Sequence, residues 1–288
     1  MLLKAYNLTG RSSKIFALSA AALTILLASW PVRTFISDYR YNKVSSILDD
    51  KGTDILDVVG ISEETMPYYL ESAGTLKSAA AVNPSMPLYH KAVGDIYFKL
   101  GRWSDAMEAG KAELPAGALP GKDAYEIALG EFKEAVRLEP ANPDYHLALG
   151  MLYDSMKADP GASEKELERA GYAYPVDSQL RHAIAQHYLA TGRAGLALEQ
   201  ARMLAMHDDS YILPDPYVSG AARERDVQAY RVFLAQSYLF AALDIAWRAT
   251  KDVRVVKGIV PDTPEAKDVV RLFIDLKGLD VSDVKKKR

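Results

Sequence analysis

Histidine is the side chain best suited to acid–base or metal chemistry at neutral pH, and two histidines of this sequence occupy matching positions. Residues 89–97 are repeated, with changes, as residues 145–153, so His90 and His146 each follow a tyrosine. A residue type that recurs at the same place in a repeated segment is what a rule of helix packing produces. We therefore interpret His90 and His146 as packed or half-exposed repeat residues.

The remaining histidines do not form a metal-binding pattern. His182 and His187 are five residues apart, which places them on different faces of a helix. His207 precedes Asp208 and Asp209, an order typical of a helix end followed by an acidic turn. The sequence therefore predicts no metal site.

Catalytic motifs are also missing from the sequence. It has no glycine loop for phosphate, no HExxH segment and no nucleophile elbow. The carboxylate pairs at 49–50 and 63–64 are sequence neighbours, and neighbours point in different directions on a helix. We expect no catalytic residue and no cofactor, and the sequence predicts that the chain is not an enzyme.

Composition fits a folded protein that does not bind nucleic acid. Of its 288 residues, 49% are hydrophobic and 25% are charged, so the chain can bury a sizeable core. Basic residues are concentrated before residue 44 and in the last four positions, which leaves an acidic body. An acidic body repels the phosphates of nucleic acid. Cysteine is absent, which excludes disulfides and thiolate chemistry.

Residues 15–32 form an apolar segment without a charged side chain, preceded by a short basic tail at 1–14. Eighteen helical residues span about 27 Å, close to the thickness of the hydrocarbon core of a membrane. Lys14 and Arg33 flank the segment, and Trp30 is of the type found at membrane interfaces. We expect a retained transmembrane anchor; the alternatives are a cleaved secretory signal, which the residues around Ala28 fit poorly, and a buried helix of a soluble protein.

The repeated segments resemble the tetratricopeptide repeat family. In that pattern the first helix of a pair, helix A, carries a small residue at position eight and an aromatic one at position eleven. The second helix, helix B, carries small residues and a larger one that pack against helix A. The first good copy matches at Gly94, Tyr97, Gly101, Trp103 and Ala106, then at Ala128, Phe132, Ala135 and Pro140. The second matches at Gly150, Tyr153, Leu167, Ala170 and Pro175, and the third at Ala185, Tyr188, Gly192, Ala197, Ala201 and Leu204.

The first copy carries an insertion of about 22 residues, at about 107–127, which we interpret as a loop. It predicts either an extra short helix before helix B or a protruding excursion. Glycine at position fifteen, as at Gly101, is expected to end helix A. In the second copy, Ser163 with Glu166 three residues later predicts a helix start.

The resemblance implies an all-α fold, an α-solenoid of tetratricopeptide-like helix pairs, to which the apolar patterns of the two ends add an N-terminal transmembrane helix and a C-terminal helical cap. An amphipathic helix and a degenerate first pair are expected at 33–84, and the repeats at 85–209. Residues 210–288 are expected to form the helical cap and a basic tail.

The resemblance also implies a binding surface, because proteins of this family usually bind peptides in the concave groove formed by the A helices. Transferring the groove positions of helix A to this chain gives Lys91, Asp95, Phe98, Leu147, Met151, Asp154, His182 and Gln186. Members that clamp a chaperone tail use several Lys, Arg and Asn at these positions, of which this chain keeps only Lys91. The apolar Leu147 and Met151 instead suit an amphipathic helix or a strand-like peptide.

These observations favour a membrane-anchored scaffold that binds protein partners in a bacterial envelope assembly. We expect it in the inner (plasma) membrane, crossing once, with the body on the periplasmic or extracytoplasmic side. The alternative is an accessory subunit of envelope polysaccharide biosynthesis or export that contacts a glycan or lipid substrate. Self-association into a homo-oligomer can accompany either function.

Overall fold

Helices provide all the regular secondary structure in the residues that the computed structural model describes, which are 19, 29–44, 61–157, 159–209 and 227–279. The chain divides into two units, Met1–Pro140 and Ala141–Arg288. The all-α prediction is confirmed for the described residues.

The first unit contains four described helices, α1 (29–44), α2 (Met66–Val82), α3 (Pro87–Ala109) and α4 (Gly121–Leu138). α3 lies between α2 and α4 and packs against both. α2 lies within 33–84, where the degenerate first helix pair is expected.

Close packing of α3 on α4 depends on two glycines of α3. A Cβ atom at Gly94 would lie less than 3.0 Å from the ring of Phe132, and one at Gly101 less than 3.0 Å from the ring of Tyr125. Phe132 is fully buried in this contact, which for an aromatic side chain of this size stabilises the fold by about 3 kcal/mol. Gly94 and Phe132 are the consensus positions at which the family's helices approach each other.

The insertion is a loop in its central part only. α3 continues through Gly101 to Ala109 and α4 begins at Gly121, so the loop covers 110–120 and contains no extra short helix. Tyr125 of α4 donates a 2.7 Å hydrogen bond to Asp105 in the added turns of α3. The prediction that Gly101 ends helix A is wrong, because its missing side chain makes room for Tyr125 instead.

The second unit contains the other described helices. They are α5 (Pro143–Met156), α6 (Pro160–Ala173), α7 (Ser178–Ala190), α8 (Ala194–His207), α9 (Val227–Ala235), α10 (Tyr238–Thr250), α11 (Val253–Gly258) and α12 (Pro264–Lys277). α5 pairs with α6 and α7 with α8, and α10 packs against both α7 and α8. One continuous apolar core joins these helices, with Tyr188, Leu204 and Phe273 among its buried members. The C-terminal helices therefore cover the third helix pair, as the predicted cap requires.

Local signals in the sequence fix the ends of these helices. Asp159 accepts backbone hydrogen bonds from Gly161 and Ala162, so it caps α6. The prediction that Ser163 starts this helix is wrong, because Asp159 followed by proline begins it earlier and Ser163 is buried inside it. Ser237 caps α10 as its position indicates.

α1 is attached to the first unit by its C-terminal half. Tyr89 donates a hydrogen bond to Asp38, Tyr41 stacks beside Tyr89 with ring centroids 5.7 Å apart, and Arg40 donates to the carbonyl of Ser78 at 2.8 Å. No helix among the described residues is both long and apolar enough to cross a bilayer. Most of the predicted anchor at 15–32 lies outside the described residues.

Candidate functional site

The two recurring histidines join helix A to helix B in their pairs. Nδ1 of His90 lies 2.8 Å from Oε2 of Glu131, and Nδ1 of His146 lies 2.6 Å from Oε2 of Glu166. Each histidine lies four residues before the glycine at which helix A meets helix B, Gly94 or Gly150. Each glutamate lies one residue before the large side chain that contacts this glycine, Phe132 or Leu167. The recurrence of Tyr-His therefore corresponds to a recurring interhelical contact.

Two acceptors favour the charged form of His90. Its Nε2 lies 3.2 Å from the carbonyl oxygen of Pro84, and both ring nitrogens donate only when the ring is protonated. The hydrogen bond to Glu131 raises the pKa of His90 above its usual value, against the opposing effect of burial, and the contact to Pro84 raises it further. A histidine engaged in this way acts as a structural cation.

In the first unit, the predicted groove residues contact other parts of the protein. Lys91 and Asp95 form an ion pair of 2.6 Å along α3. Phe98 is half-buried, and its ring lies 6.0 Å from that of Tyr125 and 6.4 Å from that of Phe132 on α4. Phe98 thus belongs to the packing between α3 and α4.

Tyr41 of α1 also lies near the predicted groove face of α3. Burial raises the pKa of Tyr41, the negative charge of Asp95 raises it further, and the positive charge of Lys91 opposes both. α1, whose first residues belong to the predicted anchor, therefore brings Tyr41 within reach of the charges on Lys91 and Asp95.

In the second unit, α5 presents apolar and charged groove residues on one face. Leu147 and Met151, one turn apart, are partly exposed and contact the edge of the apolar core. Asp154, one turn further on, accepts a 2.6 Å hydrogen bond from Nε2 of His187 and a second hydrogen bond from Arg193. Leu147 and Met151 are therefore the predicted groove residues of α5 whose side chains are apolar and partly exposed.

The pKa of Asp154 reflects these contacts. Burial alone would raise it, but the neighbouring Ser163 hydroxyl, the hydrogen bond from His187 and the charge of Arg193 together hold the pKa below its usual value. Asp154 is thus a carboxylate that ties α5 to the end of α7 and the start of α8.

The groove residues of α7 contact the cap. Nε2 of His182 lies 3.2 Å from the side-chain amide of Gln186, whose oxygen accepts a 3.0 Å hydrogen bond from Arg248 of α10. The ring of His182 also meets that of Tyr238 edge to face. Burial lowers the pKa of His182, although the negative charge of Asp244 opposes this.

Sequence reasoning missed the residues that engage this face, namely His187, Arg193, Tyr238, Asp244 and Arg248. They come from segments between 33 and 62 residues away from their partners, so spacing along the chain carries no signal for them. Among the described residues, no group of three or more His, Asp or Glu side chains could hold a metal ion.

Comparison with known proteins identifies no family for this chain by sequence. No family model matches it, and no curated protein matches it. Among solved structures it is similar to YrrB, described as a tetratricopeptide repeat protein with an unusual peptide-binding site, at 15% identity and a TM-score of 0.34. The match covers 72% of this chain and 86% of YrrB.

The contacts between helices A and B within this chain show which type of helix pair it contains. Gly94 meets Phe132 and Gly150 meets Leu167, each at the consensus positions of the family and each too closely for a Cβ atom. The helix pairs are tetratricopeptide-like. This likeness describes how the helices pack and does not by itself identify a ligand.

Proposed function

We propose that the chain is a membrane-anchored scaffold of a bacterial envelope assembly that binds a partner peptide or amphipathic helix. The observation that carries the proposal is the pair of partly exposed apolar side chains, Leu147 and Met151, at successive turns of α5. Apolar anchors one turn apart are the means by which a groove between helices holds an amphipathic helix. Beyond Met151 on α5, Asp154 accepts hydrogen bonds from His187 and Arg193, which holds α5 against α7 and the start of α8.

Membrane attachment is supported by the exposed side chains of α1. Trp30, Phe35 and Tyr39 are 63%, 72% and 64% exposed, and Arg33 and Arg40 lie among them. Aromatic side chains with nearby cations suit the interface between lipid and water. We propose that 15–32 crosses the inner membrane and that the body lies on the extracytoplasmic side. A reporter that works only in the periplasm should be active when it is fused to the C-terminus. An inactive fusion would show that the body lies on the cytoplasmic side.

The binding surface is tested by replacing Leu147 and Met151 together with glutamate. Burying two carboxylates in an apolar contact costs more free energy than the loss of apolar area alone. We therefore expect at least about a hundredfold loss of partner capture in a pull-down. Met206→Glu is the matched control, because Met206 is also an apolar residue but lies 70% exposed on α8.

Circular dichroism shows whether the double variant keeps the helical content of the parent chain. Normal capture by a folded double variant contradicts the proposed surface. Equal losses in the double variant and in Met206→Glu contradict it as well.

A second function, contact with a glycan or lipid substrate, is favoured by a cleft of 540 Å³ between α11 and α12. The cleft combines apolar side chains, such as Val260 and Ile274, with charged side chains of both signs, among them Lys257, Arg271 and Asp262. Native mass spectrometry of the purified chain tests this function. A copurified sugar or lipid without any protein partner would favour it over the scaffold.

A further inference from the structure

The third helix pair repeats the interhelical polar contact of the first two pairs with a different charge. Arg181 is four residues before Ala185, the position that His90 and His146 hold in their pairs, and Gln200 is one residue before Ala201. Nη1 of Arg181 donates a 2.9 Å hydrogen bond to Oε1 of Gln200. In this pair, therefore, a neutral amide stands where the other two pairs have a glutamate.

The consequence is a buried cation without a carboxylate partner. Arg181 is only 5% exposed, and among the described residues no carboxylate lies within ion-pair distance of it. Its Nε donates to the carbonyl of Pro175, so these two contacts use two of its five donors. Burial lowers the pKa of Arg181, and a buried charge of this kind is stabilised when an anion reaches it.

A cavity beside Arg181 gives such an anion access. It measures 160 Å³, lies among α6, α7 and α8, and has apolar walls that include Leu167, Tyr188, Leu196 and Met203. Gly171 lines it, and a Cβ atom there would lie 3.9 Å from Nη1 of Arg181. The missing side chain at Gly171 therefore leaves the guanidinium open to the cavity.

The size and the charges of this cavity select the kind of ligand. Sites for whole small molecules measure about 300–1,000 Å³, so this volume suits one side chain with an apolar stem and a charged end. Glu168 and Glu199 also line the cavity and are exposed. Their charges repel a chain of closely spaced anions, such as an acidic glycan, but attract basic residues on either side of a single carboxylate.

We propose that this cavity binds the carboxylate of an acidic side chain in a partner peptide, with basic residues next to it facing Glu168 and Glu199. Arg181 holds the carboxylate through paired hydrogen bonds, for which its planar guanidinium is suited. The exposed ring of Tyr172 provides a flat apolar surface at the same cavity. The site shares no residue with the α5 surface proposed above, so it goes beyond that function.

The test measures binding of two labelled peptides to the full-length chain by fluorescence anisotropy. One peptide is Gly-Lys-Glu-Lys-Gly with blocked ends, and the other has glutamine in place of glutamate. We expect the acidic peptide to bind at least about tenfold more tightly, because a hydrogen-bonded ion pair is lost in the neutral peptide.

Gln200→Glu is the decisive variant, because it introduces the carboxylate present in the other two helix pairs. That carboxylate would form an ion pair with Arg181 inside the protein and leave no uncompensated charge for a peptide. We expect it to remove the preference for the acidic peptide while the chain stays folded. Gly171→Leu should block the cavity with the same result, whereas Gly171→Ala should not. Glu131→Gln, which changes the equivalent position of the first pair, is the matched control and should leave the preference intact.

Any one of several results would overturn the proposal. Among them are equal affinity of the parent chain for the two peptides, an unchanged preference in Gln200→Glu, and binding of a galacturonic acid trimer in place of the peptide. Loss of the preference in the Leu147 and Met151 double variant would also contradict it, because the two sites are separate. The outcome is therefore independent of the α5 surface.

Discussion

At the scale of single residues, the most informative feature is a polar contact that recurs between helix A and helix B. His90 with Glu131, His146 with Glu166 and Arg181 with Gln200 occupy the same two positions in three helix pairs. The sequence shows that the histidines recur, but the partners lie 41, 20 and 19 residues away, beyond the reach of spacing rules. We expect a binding function at the third pair, where a neutral amide takes the place of the glutamate, and only a packing role where the histidine–glutamate contact repeats.

The contact in the first pair predicts a pH-dependent contribution to stability. The folded-state pKa of His90 is raised, so its stabilisation is fully present below the unfolded value of about 6.5 and is lost as pH rises through the raised value. Glu131→Gln should lower the free energy of unfolding by about 1.5 kcal/mol at pH 5.5 and by clearly less at pH 9.

Urea unfolding followed by circular dichroism measures this difference at the two pH values. His90→Gln is the control background, in which Glu131→Gln should show no pH-dependent effect. A loss that is the same at both pH values would contradict a charged His90.

At the scale of helices, sequence patterns predicted which helices exist better than where they end. α2 lies within 33–84, where the first helix pair is expected, and α9 to α12 lie within 210–288, where the helical cap is expected. Gly101 was misleading, because a glycine can end a helix or admit a neighbouring ring, and only the distant Tyr125 decides which. Ser163 was misleading for a similar reason, since Asp159 offered a competing cap.

The candidate site was less predictable than the helices. Family positions placed Leu147 and Met151 on a partly exposed apolar face, but they could not show that Phe98 packs against Tyr125 or that the charges of Lys91 and Asp95 reach Tyr41. Tyr125 belongs to the insertion and Tyr41 to the helix before the repeats, so neither relation follows from the repeat pattern.

The packing role of Gly101 leads to a test on α3 and α4. Gly101→Ala should destabilise the first unit by about 2 kcal/mol, because the new methyl group meets the ring of the buried Tyr125. Gly130→Ala is the matched control, since Gly130 is exposed in the middle of α4 with no atom near its Cβ position. It should stabilise by up to about 1 kcal/mol.

Thermal unfolding of the two glycine variants gives both values. Similar gains in the two variants would show that Gly101 is not a packing position. We expect a loss of stability in Gly101→Ala and a gain in Gly130→Ala, because the two Cβ positions differ in the space around them.

At the scale of the molecule, the described residues form two units that use their A helices differently. In the first unit Lys91 and Asp95 pair with each other along α3, and Phe98 packs against α4. In the second unit α5 keeps Leu147 and Met151 partly exposed, and a separate cavity surrounds Arg181. We therefore expect partner recognition to depend on the second unit and membrane attachment on the first.

Site-specific photocrosslinking in intact cells tests the central claim most directly. A photoreactive amino acid replaces Met151 of α5 in one variant and Met206 of α8 in another, each in the full-length chain. Our account predicts a discrete adduct with one protein from position 151, its loss when Leu147→Glu is added, and no such adduct from position 206. Identical adducts from both positions, or an adduct at 151 that survives Leu147→Glu, would contradict it.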